Sequence, residues 1–280
     1  MVDVREWSRS DTARLLRVPT SQDDKYSRGV VALRTGSDAY PGAAVLGVEA
    51  AWRTGAGFVR YVGGRRAADA VLARRPETVT GADAGRTRVG AWVIGSGTDA
   101  ADRDDAERDA LREILDGDAP VVVDAGAIDL AVDARGTFLI TPHAGEFARL
   151  RTQLRLPDDG LTTEEAVVAV AATLGGVVLL KGARTLVGDP HGALVAVEEG
   201  VGWLATAGTG DVLAGVIGAV VAANPDRSLL EAAAAGAWLH GRAGRVAAGM
   251  TGNDSPTHGH PVVALDVAEA LPHVIADLLA

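Results

Sequence analysis

Trp203-Leu-Ala-Thr-Ala-Gly-Thr-Gly-Asp-Val-Leu-Ala-Gly-Val-Ile-Gly-Ala-Val-Val-Ala222 is the stretch that decides how the chain is read. Its first half is glycines and small residues, and its second half is apolar with helix-compatible spacing. The glycines therefore fall where a loop becomes a buried helix, starting near Asp211. Such a junction attracts anions. Gly208 and Gly210 let the backbone approach a bulky anion, and the free N–H groups and positive end of the helix draw in its charge. A carboxylate beside a bound phosphate cannot ligate it without repulsion. Asp211 is thus expected to take a proton from a hydroxyl that attacks phosphorus, or to fix that hydroxyl. The competing reading is structural, since Asp caps helices well and glycines often precede them.

Upstream, Gly176-Val-Val-Leu-Leu-Lys-Gly-Ala-Arg-Thr-Leu-Val187 reads as an apolar strand ending in Lys181-Gly182. The chain has only two lysines, Lys25 and Lys181, and uses arginine for every other fixed side-chain cation. A lysine at a strand's carboxyl end can set a compact charge on a phosphate, with Gly182 and Thr185 adding backbone and hydroxyl donors. Asp189-Pro-His-Gly192 is a turn signal before the strand Ala193 to Val197, which predicts an antiparallel hairpin at that edge. Phe138 to Thr141 predicts a strand, and Pro142-His-Ala-Gly-Glu-Phe147 a helix start with Pro142 at the first helical position. His143 and Glu146, three apart, could hold a ligand; equally, Glu146 complements a helix amino end and His143 caps the loop. Thr162 and Glu165 have capping-box spacing before a helix ending near Leu174.

Nearer the start, a strand at Val30 to Leu33, a helix over Gly42 to Arg53 and a strand at Phe58 to Val62 make a βαβ unit. Gly42, Ala43 and Ala44 are small enough for a ligand to touch the backbone, or for close helix-to-sheet packing. Arg65 to Arg88 predicts a charged surface helix with irregular connections. Trp92 to Ile94 predicts a strand, Gly95-Ser-Gly-Thr-Asp-Ala100 a loop, Asp102 to Leu115 a helix, and Val121 to Asp124 the next strand. Gly95, Gly97 and Ala100 match G-x-G-x-x-G/A, and Asp124 ends the following strand, so this segment alone would indicate a dinucleotide-binding dehydrogenase. Such fingerprints recur by chance in α/β proteins. Both glycine loops are read as loops at the carboxyl ends of parallel strands, where open sheets bind ligands. The Ala-rich run Leu229 to Ala248 predicts a buried helix in which His240 is assigned no chemistry. Met250 to His260 predicts a polar loop, and Val263 to Leu279 a closing amphipathic helix.

The length of 280 residues and the 48% of apolar residues suit one large α/β domain spanning 1–280. A formal charge of -10 argues against nucleic-acid or anionic-membrane partners, which need a broad basic surface. The absence of cysteine removes disulfides, zinc thiolates and thiol nucleophiles. The polar start lacks a signal-peptide core, and no apolar run reaches membrane-spanning length, so a cytoplasmic protein is expected.

Taken together, these motifs resemble the ADP/ATP-dependent NAD(P)H-hydrate dehydratases, a branch of the ribokinase-like fold. The resemblance runs nearly end to end. It rests on Tyr-Pro-Gly-Ala-Ala44, Arg53-Thr-Gly-Ala-Gly57, Asp124-Ala-Gly-Ala127, Thr141-Pro-His-Ala-Gly-Glu-Phe147, Lys181-Gly-Ala-Arg-Thr185 and Gly208-Thr-Gly-Asp-Val-Leu-Ala-Gly215. It departs at Gly95-Ser-Gly-Thr, where the family usually has Gly-Pro-Gly-Leu, and at Asp24-Lys25-Tyr26, where it commonly has His-Lys-Gly.

The resemblance implies a three-layer α/β/α sandwich with a mostly parallel central sheet. It implies that Lys181, Gly182, Ala183, Arg184 and Thr185, with Gly208, Thr209 and Gly210, hold ADP or ATP. It also implies that Ala43 or Ala44, Gly97, His143 and Asp211 contact the hydrated nicotinamide. The implied reaction returns the S-epimer of NADHX or NADPHX to NAD(P)H, releasing AMP or ADP and phosphate. Asp211 takes the proton of the 6-hydroxyl as it attacks the terminal phosphoryl group, and a magnesium ion assists. A homotetramer and a separate NAD(P)HX epimerase are expected as partners, because the epimerase domain fused to many members has no counterpart here. The alternatives are a ribokinase-like small-molecule kinase, an NAD-dependent oxidoreductase built on Gly95 to Ala100, and a non-catalytic nucleotide sensor.

Overall fold

Residues of opposite parity along each apolar run enter opposite cores, so the strands of the interior are buried on both faces. Val31, Leu33, Val93, Val122, Leu139 and Leu179 belong to one cluster, while Ala32, Trp92, Ile94, Val121, Val123 and Ile140 belong to the other. This is the pattern of a parallel sheet covered by helices on both sides. The computed structural model describes residues 2–156, 160–251 and 258–280, so part of the predicted Met250 to His260 loop lies outside the described residues.

The strands are β1 (Arg5–Glu6), β2 (Val30–Arg34), β3 (Phe58–Val62), β4 (Val79–Gly81), β5 (Ala91–Ile94), β6 (Val121–Val123), β7 (Phe138–Ile140), β8 (Val177–Leu180), β9 (Thr185–Gly188) and β10 (Leu194–Val197). They form one sheet in the order β1-β10-β9-β8-β7-β6-β5-β2-β3-β4. Every pairing is parallel except those of β9, which runs antiparallel to both β8 and β10. The chain moves outward from β2 to β4 and then returns to lay β5 against the other side of β2. The order therefore reverses between β2 and β5, and open α/β sheets bind ligands at the carboxyl ends of strands flanking such a point.

The helices are α1 (Arg9–Ala13), α2 (Pro41–Thr54), α3 (Arg65–Arg74), α4 (Asp105–Leu115), α5 (Ala144–Gln153), α6 (Thr163–Leu174), α7 (Thr209–Ala223), α8 (Leu229–Ala247) and α9 (Ala264–Leu279). Buried side chains of α2, α7, α8 and α9 pack in the first cluster, and those of α4, α5 and α6 in the second. The three-layer arrangement expected of a ribokinase-like chain is thus present. At the centre of the first layer α2 and α7 touch backbone to backbone. A β-carbon at Gly215 would lie 2.3 Å from the Gly47 carbonyl oxygen, and one at Gly47 would lie 3.6 Å from the Asp211 carbonyl oxygen.

Several local expectations needed correction. Pro142 stands outside α5: His143 is the cap and Ala144 the first helical residue, because the His143 ring and Glu146 close a capping box there. Helix α7 begins at Thr209, two residues before Asp211. The Gly176 to Val187 run is two strands, with Lys181 to Arg184 as the connection between β8 and β9. The Asp189 to Gly192 turn does join an antiparallel pair, β9 and β10. Arg65 to Arg88 contains β4 as well as α3. Strand β1 and helix α1 carry too little apolar periodicity to be read in advance.

Candidate active site

Three successive parallel strands, β6, β7 and β8, end in Asp124, Thr141 and Lys181. Asp124 is 3% exposed, and its carboxylate accepts from Lys181 Nζ at 2.9 Å, Thr141 Oγ1 at 2.7 Å and Ser96 Oγ at 3.0 Å. A buried carboxylate needs such partners to stay in the fold. Here they also aim the ammonium. Lys181 Nζ lies 4.0 Å from Glu146 Oε2, and a β-carbon placed on Gly210 would meet it at 3.6 Å. The ammonium therefore faces the first turn of α7 across one cleft.

That cleft, about 660 Å³, is lined by Lys181, Gly182, Ala183, Thr185, Thr209 and Gly210. Six of the eight residues expected to bind nucleotide are thus brought together. Arg184 turns away: its guanidinium pairs with Glu6 at 2.5 Å, Glu164 at 3.1 Å and Glu198 at 2.8 Å, holding the loop to β1 and α6 from outside. Gly208 shapes the turn rather than lining the wall. Its φ of +90° is a left-handed conformation that a side chain would strain. Gly210 differs from Gly208. It carries no such angle, and Lys181 Nζ is the sole neighbour a β-carbon would meet, so the fold gives no reason for glycine there. An occupant that must reach the backbone N–H does.

Asp211, on the first turn of α7, has its carboxyl pushed up to about 6. Burial is the main cause; the nearby Asp124 charge pushes the same way, and Lys181 pulls back. A carboxylate tuned to that range suits proton abstraction near neutral pH.

The switch-point loops bring Ala43 and Gly97 together: a β-carbon on Gly97 would fall 2.2 Å from that of Ala43. Ala44 is fully buried beneath Gly36, so any contact from it would be through the backbone. His143 lines the same cleft as Lys181, with Nδ1 accepting from the Gly145 N–H at 3.0 Å, while the Glu146 carboxylate accepts from the His143 N–H at 2.8 Å. The capping reading of this pair is thus realised, and His143 also borders the cleft.

The dinucleotide fingerprint is not realised. Helix α4 starts at Asp105, five residues past Ala100, and its amino end is capped by Asp104, an acidic residue where a pyrophosphate would sit. Asp124 is committed to Lys181 rather than free for a ribose. Sequence reasoning missed Asp124 as the partner of Lys181, although a lysine ending a buried strand calls for a counter-charge at a neighbouring strand end. It also missed the apolar wall of Val201, Leu204 and Ala237, which has no motif.

The comparisons with known proteins converge on one family. The family model described as NAD(P)H-hydrate dehydratase matches residues 31–259. The bifunctional NAD(P)H-hydrate repair enzyme Nnr of Mycobacterium tuberculosis is 42% identical over 230 residues, covering 79% of this chain and 46% of that protein. The chain spans about half the length of such bifunctional relatives. The ADP-dependent (S)-NAD(P)H-hydrate dehydratase of Neisseria meningitidis is 39% identical over 236 residues, covering 78% of this chain and 77% of that protein. Among solved structures, the ADP/ATP-dependent NAD(P)H-hydrate dehydratase of Bacillus subtilis, co-crystallized with ATP/Mg2+, superposes with a TM-score of 0.80 at 26% identity, covering 99% of both chains. With a family match across most of its length and a matching fold, the chain belongs to the NAD(P)H-hydrate dehydratase family.

Proposed function

We propose that this chain, as a single domain over 1–280, dehydrates the S-epimer of NADHX and NADPHX to NAD(P)H at the expense of ADP or ATP, releasing AMP or ADP and phosphate. The observation that carries the reading is the meeting of Lys181 and the α7 amino end at one cleft, with the Asp211 carboxyl on that same first turn, buried and close enough to Lys181 and Asp124 to feel both charges. In this reading Lys181 and the N–H groups of Gly210 and Asp211 bind the phosphates. Asp211 takes the proton of the 6-hydroxyl as its oxygen bonds to the terminal phosphorus and the phosphoanhydride breaks. The C–O bond of the phosphate ester so formed then breaks, phosphate leaving with the electron pair as the ring nitrogen's lone pair forms a C=N bond to C6, and loss of a proton from C5 restores the dihydropyridine ring. Ala43 and Gly97 seat the reduced ring.

Among the described residues no group of three side chains forms a metal cage. Magnesium usually binds largely through substrate phosphates, and the carboxylates beside Lys181 are already engaged, Asp124 by Lys181, Thr141 and Ser96 and Glu146 by the His143 N–H. When bound, the ion would neutralise charge on the phosphates. The same reading has the protein act in the cytoplasm as a homotetramer, on the S-epimer that an NAD(P)HX epimerase activity supplies. Among the described residues no helix is long and apolar enough to cross a membrane.

The test is to incubate the protein with NADHX and ADP or ATP and follow the absorbance of restored NADH. Recovery that requires nucleotide and releases inorganic phosphate supports the dehydratase; a stable phosphorylated product with no NADH would favour the kinase instead. Gly210→Ala offers a second check. The added methyl has room in the nucleotide-free protein and favours the helix, so thermal stability should hold or rise. Affinity for ADP, measured by calorimetry, should fall at least tenfold because the methyl occupies the phosphate's path to the backbone.

A further inference from the structure

A second hollow of about 280 Å³ opens at the carboxyl ends of β5 and β6, lined by Thr98 and Ala100, by Gly126 and Asp129, and by Glu146 and Arg149 of α5. It continues from two of the contacts implied for the hydrated ring, since Thr98 follows Gly97 and α5 follows its cap, His143. A β-carbon on Gly145 would lie 2.9 Å from His143 Cε1 and 3.8 Å from Arg149 Nη1, so the imidazole and the guanidinium flank one residue. The carboxylates of the hollow are all engaged. Asp99 accepts from the Ala101 N–H at 2.9 Å, Asp129 from Arg103 Nη2 at 2.7 Å and Glu146 from the His143 N–H at 2.8 Å. Arg149 is not: it is exposed and has no ion pair or hydrogen bond among the described residues. Arg103, whose side chain is 5% exposed, also donates from Nη2 to the Gly126 carbonyl at 2.9 Å, which sets its guanidinium behind the hollow's wall. Its Nη1 is buried with no partner among the described residues, a state native proteins rarely leave unanswered. One free cation and one spare buried donor therefore stand on the far side of His143 and Gly97 from the nucleotide loops.

The geometry points to Arg149 as a binding residue for the diphosphate of NAD(P)HX. With the hydrated ring seated by Gly97 and His143, the rest of the dinucleotide runs into this hollow and lays its diphosphate on the Arg149 guanidinium, whose planar fork suits phosphate oxygens. Lys181 and the α7 amino end are taken by the phosphates of ADP or ATP, so the substrate's own phosphates need a separate cation. The inference rests on the dehydratase reading and assigns a residue to the half of the substrate that does not react.

The test compares wild type, Arg149→Gln and Arg149→Lys by thermal unfolding and by steady-state kinetics in which NADHX and ADP are varied separately. Arg149→Gln should raise KM for NADHX about tenfold and leave kcat and KM for ADP within about twofold. It should melt at the wild-type temperature, because an exposed and unpaired side chain holds nothing in the fold. Arg149→Lys keeps the charge without the fork and should recover part of the loss. Added salt should raise KM for NADHX more steeply in wild type than in Arg149→Gln. An unchanged KM for NADHX would make Arg149 an ordinary surface cation and overturn the proposal. A rise in KM for ADP alone would also overturn it, by placing the guanidinium on the co-substrate. Wild type that restores no NADH with either nucleotide would instead sink the dehydratase reading, and the proposal with it, whatever the variants do.

Discussion

Asp211→Asn is expected to lower kcat by roughly 10³-fold while ADP binding stays within a few-fold of wild type, since a positioned general base contributes about 10²–10⁴. The amide keeps the size and the α7 geometry but cannot accept the hydroxyl proton. In the wild type, kcat should fall as pH drops through about 6, where the carboxyl becomes protonated. The same group makes a stability prediction of the opposite sign. Its folded-state pKa is raised from 3.8 to about 6, so the native protein binds this proton more tightly than the unfolded chain does. The stabilisation from protonation is complete below about pH 4 and is lost as pH rises through 6; above that the ionised carboxylate costs on the order of 2–3 kcal/mol. Asp211→Asn should therefore be more stable than wild type at pH 8, with the gain vanishing towards pH 4. Denaturant unfolding at the two pH values reads this directly. A variant that turns over normally would remove Asp211 from the reaction, and one less stable than wild type at pH 8 would show that burial does not disfavour the ionised carboxyl.

Lys181→Met should reduce kcat/KM for ADP by about 10²–10³-fold, the range seen when one preorganised donor to a developing charge is removed. It should also destabilise the fold by about 1–3 kcal/mol, because Asp124 keeps its bonds from Thr141 and Ser96 but loses its cation. Adding Asp124→Asn separates the two effects. The double variant no longer buries an unpaired charge, so stability should return most of the way to wild type, while nucleotide use should remain lost. If activity returned together with stability, Lys181 would be a scaffold residue and not a phosphate ligand.

Much of this site was legible before the structure. The Gly208 to Asp211 turn could be read because its requirements are local: a left-handed glycine, a helix amino end and an acid on the first turn. Lys181 stood out because arginine serves almost everywhere else. The sheet's core strands were legible because burial on both faces makes them continuously apolar, whereas β1, β4 and α1 are short and half polar. Asp124 was misleading for a physical reason. Its local context, a strand end after a glycine-rich loop, fits a ribose contact, and only the placement of β8 two strands away shows that its charge belongs to Lys181. Arg184 differs again. The resemblance implied that it shares the nucleotide with Lys181, and the structure pairs its side chain with three carboxylates instead of turning it into the cleft.

The contact of Gly47 with Gly215 sets the catalytic reach. Because these two helices meet peptide against peptide, the span from the ring-seating end of one to the acid on the other is governed by main-chain dimensions rather than by interdigitated side chains. Drift elsewhere in the interior can then alter how firmly the molecule holds together without shifting this contact, whereas a single methyl at Gly215, falling 2.3 Å from the Gly47 carbonyl oxygen, would wedge the two helices apart.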